Sequence, residues 1–435
     1  MSSPTFPAVR IPVLADVQLP TVMRVRLPQP KGTPVDNLES AIEQALSSAI
    51  KLNALPSGAR IAVGVGSRGL TNLPGLVAGV VAYLKGRGHN PFIVPAMGSH
   101  GGATAEGQAA VLERLGVSEA TVGAPVRATM ETVEFGTTSQ GIPCMLDANA
   151  AAADGIVTIS RVKSHTSFDR PIESGLVKMV AVGLGKDRGA NYVHRMGPPI
   201  GLGEVLPEIG RVLLDNAPMV CGLAVVENAH HDIVTVEAVE PESFHAADER
   251  LLKLAKSLLA RLPFAQIDAM IVEVLGKEIS GAGMDYAVTG RTDIRGVPNP
   301  PKPFIHKIGV LGCTPESHGN GMGVGMADYI PRALANSLDL QAMYMNSIVA
   351  TILEKARIPI VLPDERDVAR ALALTSWCLD PAQSRFCIIR STMHLNEILV
   401  SNSLFEDIAG TPGVEVLSDL APMEFSDDGV LLTRC

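Results

Sequence analysis

The chain has 435 residues and a formal charge of -9, with 46% hydrophobic and only 4% aromatic residues. This length favours two domains, each with its own apolar interior, and the acidic balance with no basic block argues against nucleic acid as a partner, since nothing would displace phosphate counterions. Every apolar run is broken by charge or proline before the roughly 18 residues that a membrane span needs, and Met1 to Leu14 lacks the basic start and apolar core of a secretory leader, so a cytoplasmic protein away from membranes is expected.

Taken in order, VMRVRLP alternates like a strand, and Asp36 stands where it can cap the helical pattern NLESAIEQALSSAIKL. ARIAVGVGSRG then reads as a strand ending in glycines, LPGLVAGVVAYLKGRG as a helix, NPFIVPAMGSHGG as strand and loop, and TAEGQAAVLERLG as a helix. Strand, loop and helix recurring at this spacing predict a parallel sheet, whose ligands bind at the carboxyl ends of its strands. Ser67, Arg68, Ser99 and His100 fall at such ends. The Thr- and Val-rich text from Val126 to Ser160 predicts a hairpin and a buried strand, which delivers Lys163 and His165 to the same edge. GLGEVLPEIGRVLLDNA is helical, CGLAVVENAHHDIVTVEAV a hairpin, and ESFHAADERLLKLAKSLLARLP an amphipathic helix stopped at Pro263.

A new strand–helix series opens at IDAMIVEVLGKEISGAGMD and continues through HKIGVLGC, one long helix across PRALANSLDLQAMYMNSIVATILEKAR, and the strands IPIVLP and RFCIIRSTMH. The expected architecture is α/β, two domains of parallel or mixed sheets flanked by helices, with the boundary near residue 265 and the active site in the cleft between them. On this reading residues 1–265 catalyse and bind the cofactor, and residues 266–435 close the cleft. Six cysteines without C-x-x-C spacing support neither a zinc site nor a disulfide framework.

Gly64, Gly66 and Gly69 form G-x-G-x-x-G after a strand and before a helix, as a dinucleotide site requires, but PFIVPAMGSH offers no acidic residue for a ribose hydroxyl. Arg68 is either a clamp for a carboxylate or phosphate or an ordinary surface arginine. His100 sits before a glycine pair that allows close approach to a ligand, and imidazole is the natural proton carrier near neutral pH. Lys178 lies in the apolar run SGLVKMVAVGLG, where a lysine must be neutralised, paired or modified. Lys186 follows a glycine run but lacks the Ser or Thr of a P-loop. In the second half Lys277 and Glu278 rank first as binding residues of a strand-end loop. His230, His231, His245 and His306 read as surface histidines.

The order Arg68, His100 in GSHGG, His165 in KSHTSFD, Lys178 and His194 resembles the lactate racemase family, which uses a nickel-pincer nucleotide. The resemblance implies that Lys178 anchors the cofactor and His194 ligates its nickel. It further implies His100 and His165 as general acid and base, and Arg68 as an anion contact. The link HTSFDRPIESGLVK is longer than in the lactate-specific members, which marks a divergent branch. The activity implied is an isomerase, a racemase or epimerase of a 2-hydroxy acid, served by the proteins that make the cofactor. Alternatives are an NAD-dependent 2-hydroxy acid dehydrogenase and a non-catalytic anion- or cofactor-binding protein.

Overall fold

The computed structural model describes residues 5–67, 70–164, 170–200 and 202–435, with side chains at 194–200, 202, 203 and 349 excepted. By their contacts the described residues form two compact units, one from residues 5–29 with 260–435 and the other from residues 30–259. The single boundary expected near residue 265 thus becomes two crossings of the chain. The first strand, β1 (Val22–Arg26), joins the C-terminal unit, because its partners lie there: Val25 is fully buried opposite Ile398. At the edge of that pairing Arg26 sits in register with both Glu397 and Glu415 and binds them at 2.9 and 2.6 Å. Opposite charges directly across strands favour this register over a slipped one.

The unit of residues 30–259 is built on β2 (Arg60–Val65), β3 (Asn90–Pro95), β6 (Gly155–Arg161), β7 (Met219–Glu227) and β8 (Ile233–Val239), with β4 (Thr132–Thr137) and β5 (Pro143–Asp147) forming a separate antiparallel hairpin. Spatial order is β3-β2-β6-β7-β8, parallel from β3 to β7 and antiparallel at β8. The central strands read as unbroken apolar runs because helices cover both faces. Ile61, Val63, Val65 and Ile159 pack toward the helices Leu38–Ser47 and Leu73–Gly86. Ala62, Val94 and Ile156 pack on the opposite side with Val180, Leu184, Val205 and Ile209. After β2 the chain first adds β3 on one side and later β6 on the other, so the connections leaving β2 and β6 part to opposite faces at their carboxyl ends, the place where open α/β sheets bind ligands.

The other unit carries β9 (Gln266–Leu275), β10 (Phe304–Cys313), β11 (Tyr329–Pro331), β12 (Ile360–Leu362), β13 (Phe386–Ile389), β14 (Glu397–Ser401) and β15 (Glu415–Val416). Its sheet runs β12-β11-β10-β9-β13-β14-β1-β15, parallel from β12 to β13 and antiparallel beyond. Both units are therefore α/β, with mixed sheets flanked by helices.

Three local expectations change. Asn37, not Asp36, caps the first helix, its side chain accepting from Ser40 N at 2.9 Å. The long helix after β11 is two, Arg332–Ser337 and Leu340–Val349, because Asp339 leaves helical geometry to accept from Ala342 N at 3.0 Å and so caps the second. His306 is no surface residue: it is 9% exposed with its ring 3.8 Å from that of Trp377, and burial, then the neighbouring Lys307 charge, holds its pKa below the usual value. His245 is likewise half-buried, its Nε2 2.9 Å from Pro207 O. All six cysteines are free, and among the described residues no helix is long and apolar enough to cross a membrane.

Candidate active site

The parallel strands bring Ser67, His100, Lys163 and Glu227 to one sheet edge, each at or just past a carboxyl end. Ser67 Oγ and His100 Nδ1 share a hydrogen bond of 2.5 Å, which ties the loop after β2 to the loop after β3. His100 is exposed, and the hydroxyl partner on Nδ1 holds the orientation of its ring. Its backbone is set from beneath. Gly101 has φ +66° and lies so close to the helix Ala105–Arg114 that a Cβ there would stand 2.6 Å from Gln108 N, a place for glycine alone.

Gln108 is fully buried behind this loop. Its Nε2 donates to Gly98 O at 2.7 Å and to His100 O at 3.3 Å, while its Oε1 accepts from Lys186 Nζ at 2.9 Å. Lys186 also donates to Pro95 O at 2.5 Å and pairs with Asp147 at 3.0 Å, both ionic side chains having no exposure. Burial pushes Asp147 up and Lys186 down, and each charge opposes the shift of the other. Lys186, unremarkable as a failed P-loop in the sequence, is a core brace.

Lys178 ends the short helix Leu176–Lys178 and is half-buried. A π-helical turn, Met179–Gly183, follows at once, the kind of irregularity often found at functional sites. Gly183 O accepts from Gly98 N at 3.0 Å, and a Cβ on Gly66 would lie 3.1 Å from Met179 Cε. The lysine turn is thus packed against the loops after β2 and β3. Its own start is held by Asp248, whose two carboxylate oxygens accept from Leu176 N at 2.9 Å and Val177 N at 2.8 Å. Burial pushes Asp248 up to about 7 against those two amides. Gly175, φ +101°, could carry no side chain, since a Cβ would stand 2.2 Å from Asp248 Oδ1.

Arg68 and His165 lie outside the described residues, as does the side chain of His194, whose backbone belongs to the helix Lys186–Ile200. The described residues next in sequence are tied together. Buried Glu173 accepts from Ser164 Oγ at 3.2 Å, Arg170 N at 2.8 Å and Lys256 Nζ at 2.5 Å, and Lys163 N donates to Ser174 Oγ at 2.7 Å. Lys277 and Glu278 belong to the other unit, just past β9: Lys277 Nζ donates to Gly281 O at 2.8 Å and Glu278 accepts from Ser317 Oγ at 3.2 Å. Among the described residues no group of three or more His, Cys, Asp or Glu is placed to hold a metal.

Sequence reading missed Asp248, Glu173, Gln108 and Glu227. Asp248 left a signal: it falls on the stripe of Phe244, Ala247, Leu251 and Leu252, where an unpaired carboxylate is costly. Glu227, at the end of β7, receives Thr71 N at 2.6 Å, pairs with Arg161, and lies 3.7 Å from His231 Nδ1. So His231, read as a surface histidine, helps hold the loop after β2. Burial raises the Glu227 carboxyl, but the nearby His231 ring, the Arg161 charge and the Thr71 amide together bring it down to about 2. A depressed carboxylate stabilises the fold fully above its unfolded pKa and loses that contribution as pH falls towards about 2, here at most about 3 kcal/mol. Glu227→Gln is expected to flatten the stability curve between about pH 4.5 and 2, measured by urea unfolding; a slope equal to that of the unaltered chain rejects this role.

Of the glycine pattern, Gly69 lies outside the described residues. Gly64 lies inside β2, and the next helix starts only at Leu73, behind an Asn72 cap that accepts from Gly75 N at 3.2 Å.

The fold and this edge define an α/β protein whose parallel sheet presents an imidazole and a lysine turn at its carboxyl edge. Residues 14–197, less than half of the chain, match the model of the lactate racemase N-terminal domain. Among solved structures the chain is similar to the lactate racemase apoprotein from Thermoanaerobacterium thermosaccharolyticum, with 14% identity, coverage of 91% of this chain and 98% of that one, and a TM-score of 0.49. No curated protein matches the chain significantly.

Proposed function

We propose that the protein is a cytoplasmic racemase or epimerase of a 2-hydroxy acid that depends on a nickel-pincer nucleotide. The observation that carries this reading is the Ser67–His100 pair beside the Lys178 turn, at one strand edge and inside the stretch that matches a lactate racemase domain. The residues fit the cofactor. Lys178 is half-buried on a turn whose conformation is fixed by Asp248, and His194, in the sequence of the helix Lys186–Ile200, is of a residue type suited to nickel. When bound, the cofactor supplies a hydride acceptor and donor.

The chain's own groups do the rest. Arg68 holds the carboxylate of the substrate. His100 and His165 take and return the hydroxyl proton, exchanging roles between the two enantiomers. Ser67 keeps the His100 ring turned for that transfer. Inversion by hydride transfer preserves a label on the reacting carbon, whereas inversion by carbon deprotonation washes it out.

Protein produced together with the cofactor's biosynthetic proteins is therefore expected to contain nickel, to carry added mass on Lys178, and to invert 2-hydroxy acids deuterated at carbon 2 with retention of the label and no NADH absorbance. Protein lacking nickel, added mass and inversion of any hydroxy acid would remove this reading.

A further inference from the structure

We propose that Gln108, Lys186 and Asp147 form a buried positioning network that sets His100 in place, an assignment resting on the reading of His100 as an acid–base group. The chain of contacts is continuous. Asp147 pairs with Lys186 at 3.0 Å, Lys186 donates to Gln108 Oε1 at 2.9 Å, and Gln108 Nε2 donates to Gly98 O at 2.7 Å and His100 O at 3.3 Å. Ammonium can only donate, so the Gln108 oxygen must face Lys186 and its NH2 must face the loop carbonyls. The amide therefore has one orientation, and through it the loop carrying His100 has one backbone setting.

Three further observations separate this network from ordinary core filling. All three side chains are fully buried, where hydrophobic residues of similar volume would serve stability as well or better than an ion pair. Lys186 holds a left-handed backbone, φ +56°, which a non-glycine residue adopts only when its surroundings enforce it. It is also the first residue of the helix Lys186–Ile200, which bears His194, and its ammonium reaches back to Pro95 O at the end of β3. Thus one side chain joins the start of the His194 helix to the strand and loop that deliver His100. Asp147 is itself fixed, its Oδ1 accepting from Ala150 N at 2.9 Å. These are positioning residues, since none of their contacts is to the imidazole.

The test uses the full chain and reads His100 directly, by NMR of protein labelled in its histidines, with His100→Gln identifying the resonances. Gln108→Met keeps the volume and removes both donors to the loop. The pair Lys186→Met with Asp147→Leu removes both charges together and so avoids a stranded ion. In either folded variant the His100 titration is expected to move by about 0.5 unit or more, and kcat to fall roughly tenfold to a hundredfold with a shifted pH profile and a KM changed less than about threefold. In the unaltered chain the Gln108 side-chain amide is expected to exchange slowly with solvent.

His100 resonances and titration unchanged in the folded variants, or a rapidly exchanging Gln108 amide, overturn the network. Movement of the His100 signals in protein that turns over no hydroxy acid supports the network while removing the functional reading. Turnover with His100 unmoved does the reverse.

Discussion

His100→Gln is expected to lower kcat for hydroxy acid inversion by roughly 100- to 10,000-fold, the range of a lost acid–base group, while thermal stability stays close to that of the unaltered chain. The two effects separate because the imidazole is exposed at a strand edge and fills no core, whereas the glycine turn that presents it is held by Gln108. Ser67→Ala removes the partner of Nδ1 and leaves the imidazole, so its effect is smaller, about fivefold to tenfold, as for a hydrogen bond of about 1 kcal/mol. Enantiopure substrates assayed in both directions measure these losses. A His100→Gln protein with kcat within twofold of the unaltered chain excludes this imidazole from the reaction.

Asp248→Ala is expected to cost roughly 2–5 kcal/mol in the unit of residues 30–259, because it leaves two buried amides, of Leu176 and Val177, without an acceptor. Its pH dependence has a definite sign. The Asp248 carboxyl is raised to about 7 by burial, so the fold favours its protonated form: this contribution is complete below the unfolded pKa and is lost as pH rises through about 7. A shift of this size is on the order of 4 kcal/mol between the two limits. Asp248→Asn, which carries no charge at any pH, is expected to lose the decline between about pH 4 and 7, and unfolding measured across that range decides it. An equal decline in the Asn variant assigns it to another group. On the proposed role of Lys178 as cofactor anchor, the same substitutions are expected to lower the extent of attachment there, since Asp248 fixes the turn on which that lysine stands.

Much of the architecture was legible in the order of residues. Apolar runs such as RIAVGV and GIVTISR, closed by glycines or polar tails and alternating with helical periods, specify strands buried on both faces, and such strands are parallel. Parallel strands share a carboxyl edge, so their order in the sequence is enough to assign Ser67, His100 and Lys163 to one edge. Local chemistry likewise announced the hairpins β4–β5 and β7–β8.

Choices between near-equal local options were not legible. Asn37 and Asp36 can both cap, and the one chosen depends on how the helix approaches the sheet. Asp339 reads equally well inside a long helix or at the start of a second one. β1 has an alternating pattern that any sheet edge would accept, and only the long-range register with Ile398 and the two glutamates assigns it to the C-terminal unit. Burial of charge was the deepest omission. Lys186 and Asp147 are ordinary surface residue types, and Asp248 sits in a charged helix; each becomes a buried brace only because a partner distant in sequence arrives beside it. Sequence by itself determined the strand edge and the side chains it presents, since periodicity and glycine placement act locally. The tertiary structure alone decided what holds those side chains still, because the cost of burying a charge or an amide is settled only by groups that folding brings together.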